Sequence, residues 1–152
     1  MSFDWSDYLL VAQELASQTT ASQIRSNIRV QVRNVFNRTF HRERERSLEE
    51  AKLRCAISRA YYGAFRTVRN HLCDKDGQPA NLLERSGRTH QMVINLFNQS
   101  NDFDRQLIGQ FLKDLRSARN KADYDDTIPH LPGLTMTTLL QSEQVLDLLK
   151  TL

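Results

Sequence analysis

The sequence contains few of the residues that organise disulfide-rich or metal-bound proteins. Only two cysteines, three prolines, five glycines and one tryptophan occur among its 152 residues. Cys55 and Cys73 fall in one predicted helix, about 27 Å apart at ~1.5 Å per residue, too far for a disulfide. Two unpaired thiols suit a reducing cytoplasm. Histidine and cysteine form no cluster at the spacing of a zinc site, so we expect no metal and no cofactor.

Long apolar runs and alternating β-branched runs are also missing. The first absence excludes the ~20-residue apolar span of a membrane helix, and the N-terminus lacks the regions of a signal peptide. We therefore expect a cytoplasmic protein without a membrane partner. The second absence disfavours strands. With 39% hydrophobic and 26% charged residues, the composition is typical of one globular domain over residues 1–152, of all-α class.

Two stretches carry the clearest helical pattern. In Ala51–Leu72, residues recur at steps of three and four on one predicted face: Leu48, Ala51, Cys55, Ser58, Tyr62, Phe65, Arg69 and Leu72. In Phe103–Tyr124 a matching face contains Phe103, Leu107, Phe111, Leu115, Ala118 and Ala122. Such spacing is typical of helices that bury one side. The two stretches together predict the central antiparallel pair of a helical bundle.

Shorter patterns supply the remaining helices. We expect helices over Ser2–Ser17, His90–Gln99 and Leu134–Leu152, which gives a four- or five-helix up-down bundle. Ser47 followed by Glu50 has the spacing of a capping box and predicts that the central helix begins there. Asp125–Gly133 contains two prolines and is predicted to be non-helical.

The positive charge is concentrated in one segment. Thr20–Ser47 contains seven arginines and two glutamates, a net charge of +5, whereas the rest of the chain has 14 basic and 16 acidic residues, or −2. Arg25, Arg29 and Arg33 recur every four residues beside an apolar face. Three interpretations stay open for this Arg-rich insertion: an extra helix packed on the bundle or on a second copy, a surface for RNA phosphates, or an arm that orders on binding a partner.

Three separated motifs resemble the small helical domains called HEPN. They are SRAYYGAF at residues 58–65, RTHQMVINLF at residues 88–97 and RSARNKADYDD at residues 116–126, in the same order and spacing as in single-domain bacterial and archaeal members. The resemblance covers Phe3–Ala16 and Leu48–Lys150. It implies a helical bundle that forms a homodimer, and it makes the Arg-rich insertion a departure, since the family has a shorter connection there.

The resemblance also suggests an activity. Many HEPN domains are metal-independent ribonucleases whose site is an Arg followed, four to six residues later, by a His. An imidazole near neutral pKa can move the proton of the RNA 2′-OH or of the leaving 5′-oxygen, and a guanidinium can hold the phosphate. Two such pairs meet across the dimer.

This chain matches only half of that pattern. Arg119 and Asn120 fit, and Arg116 lies nearby as a further phosphate-binding candidate, but Tyr124 stands at the histidine position. A tyrosine with a pKa near 10 is a poor general base at neutral pH. His90 is then the best remaining acid–base candidate, although a capping or satisfied structural histidine also explains its position.

A second group of polar residues predicts a buried network. Arg59 and Tyr62 lie on one side of their helix, and Asp123 lies on the last turn of the facing helix. Because buried charges need partners, we expect Arg59 or Tyr62 to contact Asp123.

Three functions stay open. The chain is a non-catalytic or weakly catalytic HEPN module that contacts RNA or a partner such as a nucleotidyltransferase, in a toxin–antitoxin or defence-type system. Alternatively it is a ribonuclease toxin that uses Arg119 with Tyr124 or His90. Lastly, it is a structural subunit that oligomerises through its Arg-rich segment.

Overall fold

The computed structural model describes residues 8–15, 17, 35–79 and 88–152, with the side chains of the second helix described from residue 42. Five helices make up these parts of the chain, and no strand occurs in them. Helix α1 covers residues 8–15, with residue 17 also helical; the others are α2 (Val35–Asp74), α3 (Thr89–Asn98), α4 (Phe103–Tyr124) and α5 (Leu131–Thr151). The expected all-α helical bundle is confirmed.

Contacts at the helix ends give the directions of the central helices. Arg54, in the middle of α2, reaches the chain just after the end of α4, and Arg105, at the start of α4, pairs with Asp76 just after the end of α2. The two helices are therefore antiparallel. Leu131 packs with Ile57 at one end of α5, and α5 then runs parallel to α2 towards a cluster with Val68 and Leu72.

The main core lies where α2, α3, α4 and α5 meet. Tyr61, Phe97, Ile108 and Leu112 are among the largest fully buried side chains, and Val145 of α5 completes the same cluster. Burying each such side chain stabilises the fold by roughly 1.5–3 kcal/mol relative to exposure. A smaller cluster joins α1 to α2 and α5 through side chains that include Leu9, Ala12, Ala56 and Leu139.

The start of α2 differs from the sequence prediction. The helix does not begin at a capping box of Ser47 and Glu50 but runs unbroken from Val35. Neither glycine nor proline interrupts residues 35–62, and glutamate, arginine, leucine and alanine all favour a helix. At about 1.5 Å per residue its 40 residues span roughly 60 Å. Residues 42–48 are all exposed, while Arg25, Arg29 and Arg33 lie outside the described residues.

The buried faces are also rotated from those expected. In the first part of the predicted α2 face Leu48 and Cys55 are exposed, whereas Ala56 and Ile57 are buried. Phe65 and Leu72, further along the same predicted face, are buried as expected. In α4 the first half of the predicted face is wrong in the same way. Phe103 is 74% exposed, and the buried line instead begins with Ile108, Gly109 and Leu112 before meeting the predicted Leu115, Ala118 and Ala122.

Helix α5 begins three residues earlier than predicted. Pro132 lies in its first turn, where a proline costs no hydrogen bond because the backbone N–H would have no helical partner. His130 precedes the helix in the left-handed conformation, with φ 54°. Asp125–His130 is therefore non-helical as predicted, whereas Leu131–Gly133 belongs to α5.

Candidate functional site

Side chains from α2, α3 and α4 meet around the ring of Tyr62. The Arg119 guanidinium carbon lies 5.3 Å from the centroid of this ring, a distance at which a cation is attracted to an aromatic face. The ring of His90 lies 6.1 Å from the same ring, centroid to centroid. Arg119 and His90, 29 residues apart in the sequence, thus share one aromatic neighbour.

The charge of Arg119 is compensated within its own helix. Its Nε atom lies 2.7 Å from Oδ2 of Asp123, one turn further along α4. The N–H bond of this buried Nε atom is not aimed well enough at the carboxylate to form a hydrogen bond, so the contact is an ion pair. Nη1 donates to Oδ1 of Asn120 at 3.2 Å. The ring of Tyr124 is 5.8 Å from the guanidinium carbon and is otherwise exposed.

His90 is held by aromatic residues of α2. Its Nδ1 atom is 2.5 Å from the Tyr61 hydroxyl oxygen, and its ring centroid is 4.2 Å from that of Phe65. Burial, followed by the positive charges of Arg116, Arg119 and Arg66, lowers the pKa of His90 from 6.5 to about 4. The imidazole is therefore neutral at pH 7.

The environment of Tyr61 indicates which nitrogen of His90 carries the proton. The Tyr61 side chain is 1% exposed, and burial raises its pKa above the ordinary value of 10. The phenol is thus protonated at neutral pH. Because its buried O–H needs an acceptor, we assign it as the donor to Nδ1 of His90. The ring proton then lies on Nε2, and the lone pair that a general base would use is already a hydrogen-bond acceptor.

Arg54 of α2 holds the end of α4 in place. Nη1 donates to the carbonyl oxygens of Ala122 and Asp125 at 2.9 and 2.7 Å, and Nη2 donates to that of Asp126 at 3.1 Å. Nε donates to Oε1 of Glu50 at 2.8 Å. A guanidinium at the negative end of a helix satisfies carbonyl groups that have no helical partner. Sequence reasoning missed this residue, since backbone carbonyls leave no signature in the sequence.

A groove of about 610 Å³ lies between α3 and α4, close to the His90 site. Its lining, here called the α3–α4 groove, consists of Arg88, Gln91, Met92, Asn95, Leu96, Gln99 and Arg116. Nη1 of Arg116 donates to Oε1 of Gln91 at 2.8 Å. Within residues 8–15, 17, 35–79 and 88–152, no carboxylate forms an ion pair with Arg88 or Arg116.

The polar contacts of Asp123 involve other residues than those expected. Arg59 is exposed, and its guanidinium lies 5.2 Å from the ring of Tyr8 in α1, so it does not contact Asp123. Asp123 pairs with Arg119 instead, and Arg119 lies over Tyr62. The Arg59 form of the prediction was wrong because Arg59 lies against Tyr8 on the α1 side of α2, whereas Tyr62 lies beside Arg119 of α4.

Two other kinds of site are missing from the described residues. No group of three or more His, Cys, Asp or Glu side chains in this part of the chain is placed to hold a metal ion. None of the helices there has an apolar stretch of the length that crossing a bilayer requires.

Comparison with known proteins finds no significant match to this chain among protein-family models, curated proteins or solved structures.

Proposed function

We propose that this chain is a HEPN-like helical module that associates with RNA and does not cleave it, or cleaves it only weakly. It would act with a partner protein in a toxin–antitoxin or defence-type system. The three motifs that resemble HEPN domains support this family, because they contribute Tyr61 and Tyr62, His90, and Arg119 to one site. The same resemblance supports a homodimer, and a nucleotidyltransferase as the partner.

The environments of His90 and Arg119 carry the proposal. Fast cleavage would need an imidazole that exchanges protons near neutral pH and a guanidinium free to face a phosphate. In this chain the pKa of His90 is about 4 and its Nδ1 atom accepts from Tyr61, while Nε of Arg119 is paired with Asp123. Both groups are engaged within the molecule, which favours recognition over proton transfer.

The association with RNA draws support from a different pair of side chains. Arg88 and Arg116 lie next to the His90 site without a carboxylate partner among the described residues. Unpaired guanidinium groups on a surface attract phosphate, and the affinity they confer weakens with salt. Coulombic lowering of the His90 pKa by Arg116 agrees with a positive potential at this place.

The test combines cleavage and binding on the same preparation. Purified protein is incubated with single-stranded RNA in EDTA at pH 7, next to an Arg119→Ala variant, and binding is followed by fluorescence anisotropy at several salt concentrations. We expect salt-sensitive binding, with no cleavage by the wild-type chain beyond that of the variant. Fast cleavage by the wild-type chain that disappears in Arg119→Ala would contradict the proposal.

That contradictory result would favour the second candidate, a ribonuclease that uses Arg119 with Tyr124 or His90. One observation speaks for it, since the Tyr124 ring and the Tyr62 ring both lie within 6 Å of the Arg119 guanidinium carbon, at 5.8 and 5.3 Å. The variants Tyr124→Phe and His90→Gln separate the two forms of this candidate. Loss of cleavage in only one of them identifies the residue that moves the proton.

A further inference from the structure

We propose that the α3–α4 groove binds one nucleotide of a single RNA strand. In this arrangement Arg88 and Arg116 contact a backbone phosphate, and the carboxamides of α3 contact the base. This inference rests on the proposed association with RNA and adds to it the place of binding and the side chains that recognise the strand.

The charges distinguish this groove from the other arginine sites nearby. Arg54, Arg105 and Arg119 each pair with a carboxylate, those of Glu50, Asp76 and Asp123 respectively. Arg116 instead has a neutral partner, the amide oxygen of Gln91, which fixes the direction of the guanidinium without cancelling its charge. Arg88 is exposed at the start of α3, at the rim of the same groove. No carboxylate in the described parts of the chain pairs with either arginine, and two such positive charges at one groove are suited to a phosphate.

A row of carboxamides continues along α3 from these arginines. Gln91, Asn95 and Gln99, the last of them directly after the end of α3, recur every four residues and therefore lie on one side, and all three are exposed. Nε2 of Gln91 donates to Oδ1 of Asn95 at 2.9 Å. Each carboxamide offers both donors and acceptors, which is the combination that hydrogen-bonds to the edge of an unpaired base.

The groove also has an apolar floor of suitable size. Met92 and Leu96 are half-buried between the carboxamide row and the core. The volume of about 610 Å³ lies within the range of roughly 300–1,000 Å³ typical of small-ligand pockets. An open groove with an apolar floor and amide walls accommodates one base from a single strand, whereas bases within a duplex are already paired and stacked.

The two helices that form the groove are fixed against each other at a neighbouring point. A Cβ atom at Gly109 of α4 would lie 2.9 Å from the backbone nitrogen of Asn98 in α3, closer than such atoms approach. Only glycine permits this close packing. The distance between the carboxamide row and Arg116 is therefore set by the fold before any ligand binds.

The first experiment tests the phosphate contacts. Affinity for a labelled single-stranded RNA is measured by fluorescence anisotropy between 50 and 300 mM salt for the wild-type chain, Arg88→Gln and Arg116→Gln. We expect each variant to lose affinity about fivefold near 0.1 M salt and to reduce the salt slope by about 0.7, as expected for one lost phosphate contact on a single strand. Lys150→Gln, on α5, is the control for loss of one positive charge and should match the wild-type chain. Circular dichroism checks that each variant is folded.

A second experiment tests the base contacts. The variants Asn95→Ala and Gln99→Ala keep every charge, so their salt slopes should equal that of the wild-type chain. Their relative affinities for oligo-A, oligo-C and oligo-U should change, since the carboxamides are lost. Gln91 is left unchanged because its amide orients Arg116.

The outcomes separate this inference from the proposed function. If the wild-type chain binds RNA but all four groove variants bind like Lys150→Gln, the groove inference is overturned and RNA association stands. If the wild-type chain binds no RNA at any salt concentration, both are overturned. Changed homopolymer preferences in Asn95→Ala and Gln99→Ala, together with reduced salt slopes in the two arginine variants, would support the groove.

Discussion

Arg116 and Arg119 lie three residues apart on α4, and their surroundings differ sharply. Arg119 is paired with Asp123 and lies over Tyr62, close to the end of the helix that Arg54 holds. Arg116 faces the α3–α4 groove and donates to the neutral amide of Gln91. The difference shows that one arginine of this helix is paired with a carboxylate, whereas no carboxylate among the described residues pairs with the other. It also places the available charge one turn away from the position to which the sequence motif points.

The largest expected loss of stability comes from removing the contacts of Arg54 with the C-terminal end of α4. Replacing Arg54 with Ala removes hydrogen bonds to Ala122, Asp125 and Asp126 and the ion pair with Glu50. Hydrogen bonds from charged groups are stronger than neutral ones, but some of the freed carbonyls can bind water instead. We therefore expect the free energy of unfolding, measured by urea denaturation, to fall by about 2–3 kcal/mol.

Two milder variants identify the cause of that loss. Arg54→Lys keeps the charge but cannot reach three carbonyl oxygens, so it should lose most of the same stability. Glu50→Gln removes only a partly exposed i,i+4 ion pair and should cost less than about 0.5 kcal/mol. Equal stability of Arg54→Lys and the wild-type chain would show that charge, and not the set of carbonyl contacts, stabilises this end.

The close approach of α3 and α4 gives the next prediction. In Gly109→Ala the new methyl group meets the backbone of Asn98, which cannot turn aside as a side chain can. We expect a loss of about 2 kcal/mol in urea denaturation, within the range for overpacked interiors. Gly133→Ala is the matched control, since a Cβ there meets nothing within 4 Å. That variant should be neutral or slightly stabilising, because alanine favours the helix more than glycine does.

Both Arg116 and Arg119 lower the pKa of His90, so this pKa measures the effect of each arginine on the same ring. The folded value of about 4 lies below the ordinary 6.5, mainly through burial. Between pH 6.5 and pH 4 the unfolded chain binds this proton more readily than the folded chain does. The contribution of His90 to the free energy of unfolding should therefore fall as the pH drops from about 6.5 to about 4, and it should not change further below about pH 4. We expect a loss on the order of 1–2 kcal/mol, reduced from the full linkage value because the ring is only half-buried.

Titration of the His90 ring by NMR measures that pKa and ranks the arginines. Arg116 contributes more than Arg119 to its lowering. Arg116→Gln should therefore raise the titration midpoint further than Arg119→Gln, while both midpoints stay below 6.5 because burial persists. A midpoint near 6.5 in the wild-type chain would mean that the imidazole is solvated and available for proton transfer at neutral pH.

Local sequence signals predicted the limits of α4 but only part of its buried face. The limits Phe103–Tyr124 of α4 agree with the prediction, since Asp102 caps the helix through Oδ1 and the N–H of Arg105. The buried face of α4 was predicted less well. Leu107 and Phe111 are as apolar as Ile108 and Leu112, and only the position of the neighbouring helices decides which pair is buried.

The site was predicted in part for similar reasons. A four-residue step puts Arg119 and Asp123 on one side of α4, and the two pair there, although the sequence analysis expected Asp123 to contact α2. The contact of Tyr61 with His90 joins two helices across 29 residues, and no pattern in the sequence specifies it. Arg88 resembles any other exposed arginine until α3 and α4 bring it to the rim of the same groove as Arg116.

The smallest expected effect on stability comes from a variant in which Arg119 loses its carboxylate partner. Asp123→Asn removes the carboxylate that compensates Arg119. Because an i,i+4 pair at a surface contributes only about 0.3–0.5 kcal/mol, stability should change little. If free positive charge at this end of α4 is what RNA meets, the variant should bind single-stranded RNA up to about fivefold more tightly near 0.1 M salt, with a salt slope steeper by about 0.7.

The double variant Asp123→Asn with Arg119→Gln then shows whether the gain belongs to that guanidinium. It should return the affinity to that of the wild-type chain, since the freed charge is gone and Arg116 is untouched. A gain that persists in the double variant would reflect the loss of a repelling carboxylate. In that case the strand passes close to Asp123 without contacting Arg119. Of the two arginines, only Arg116 would then contact RNA, even when the ion pair is broken.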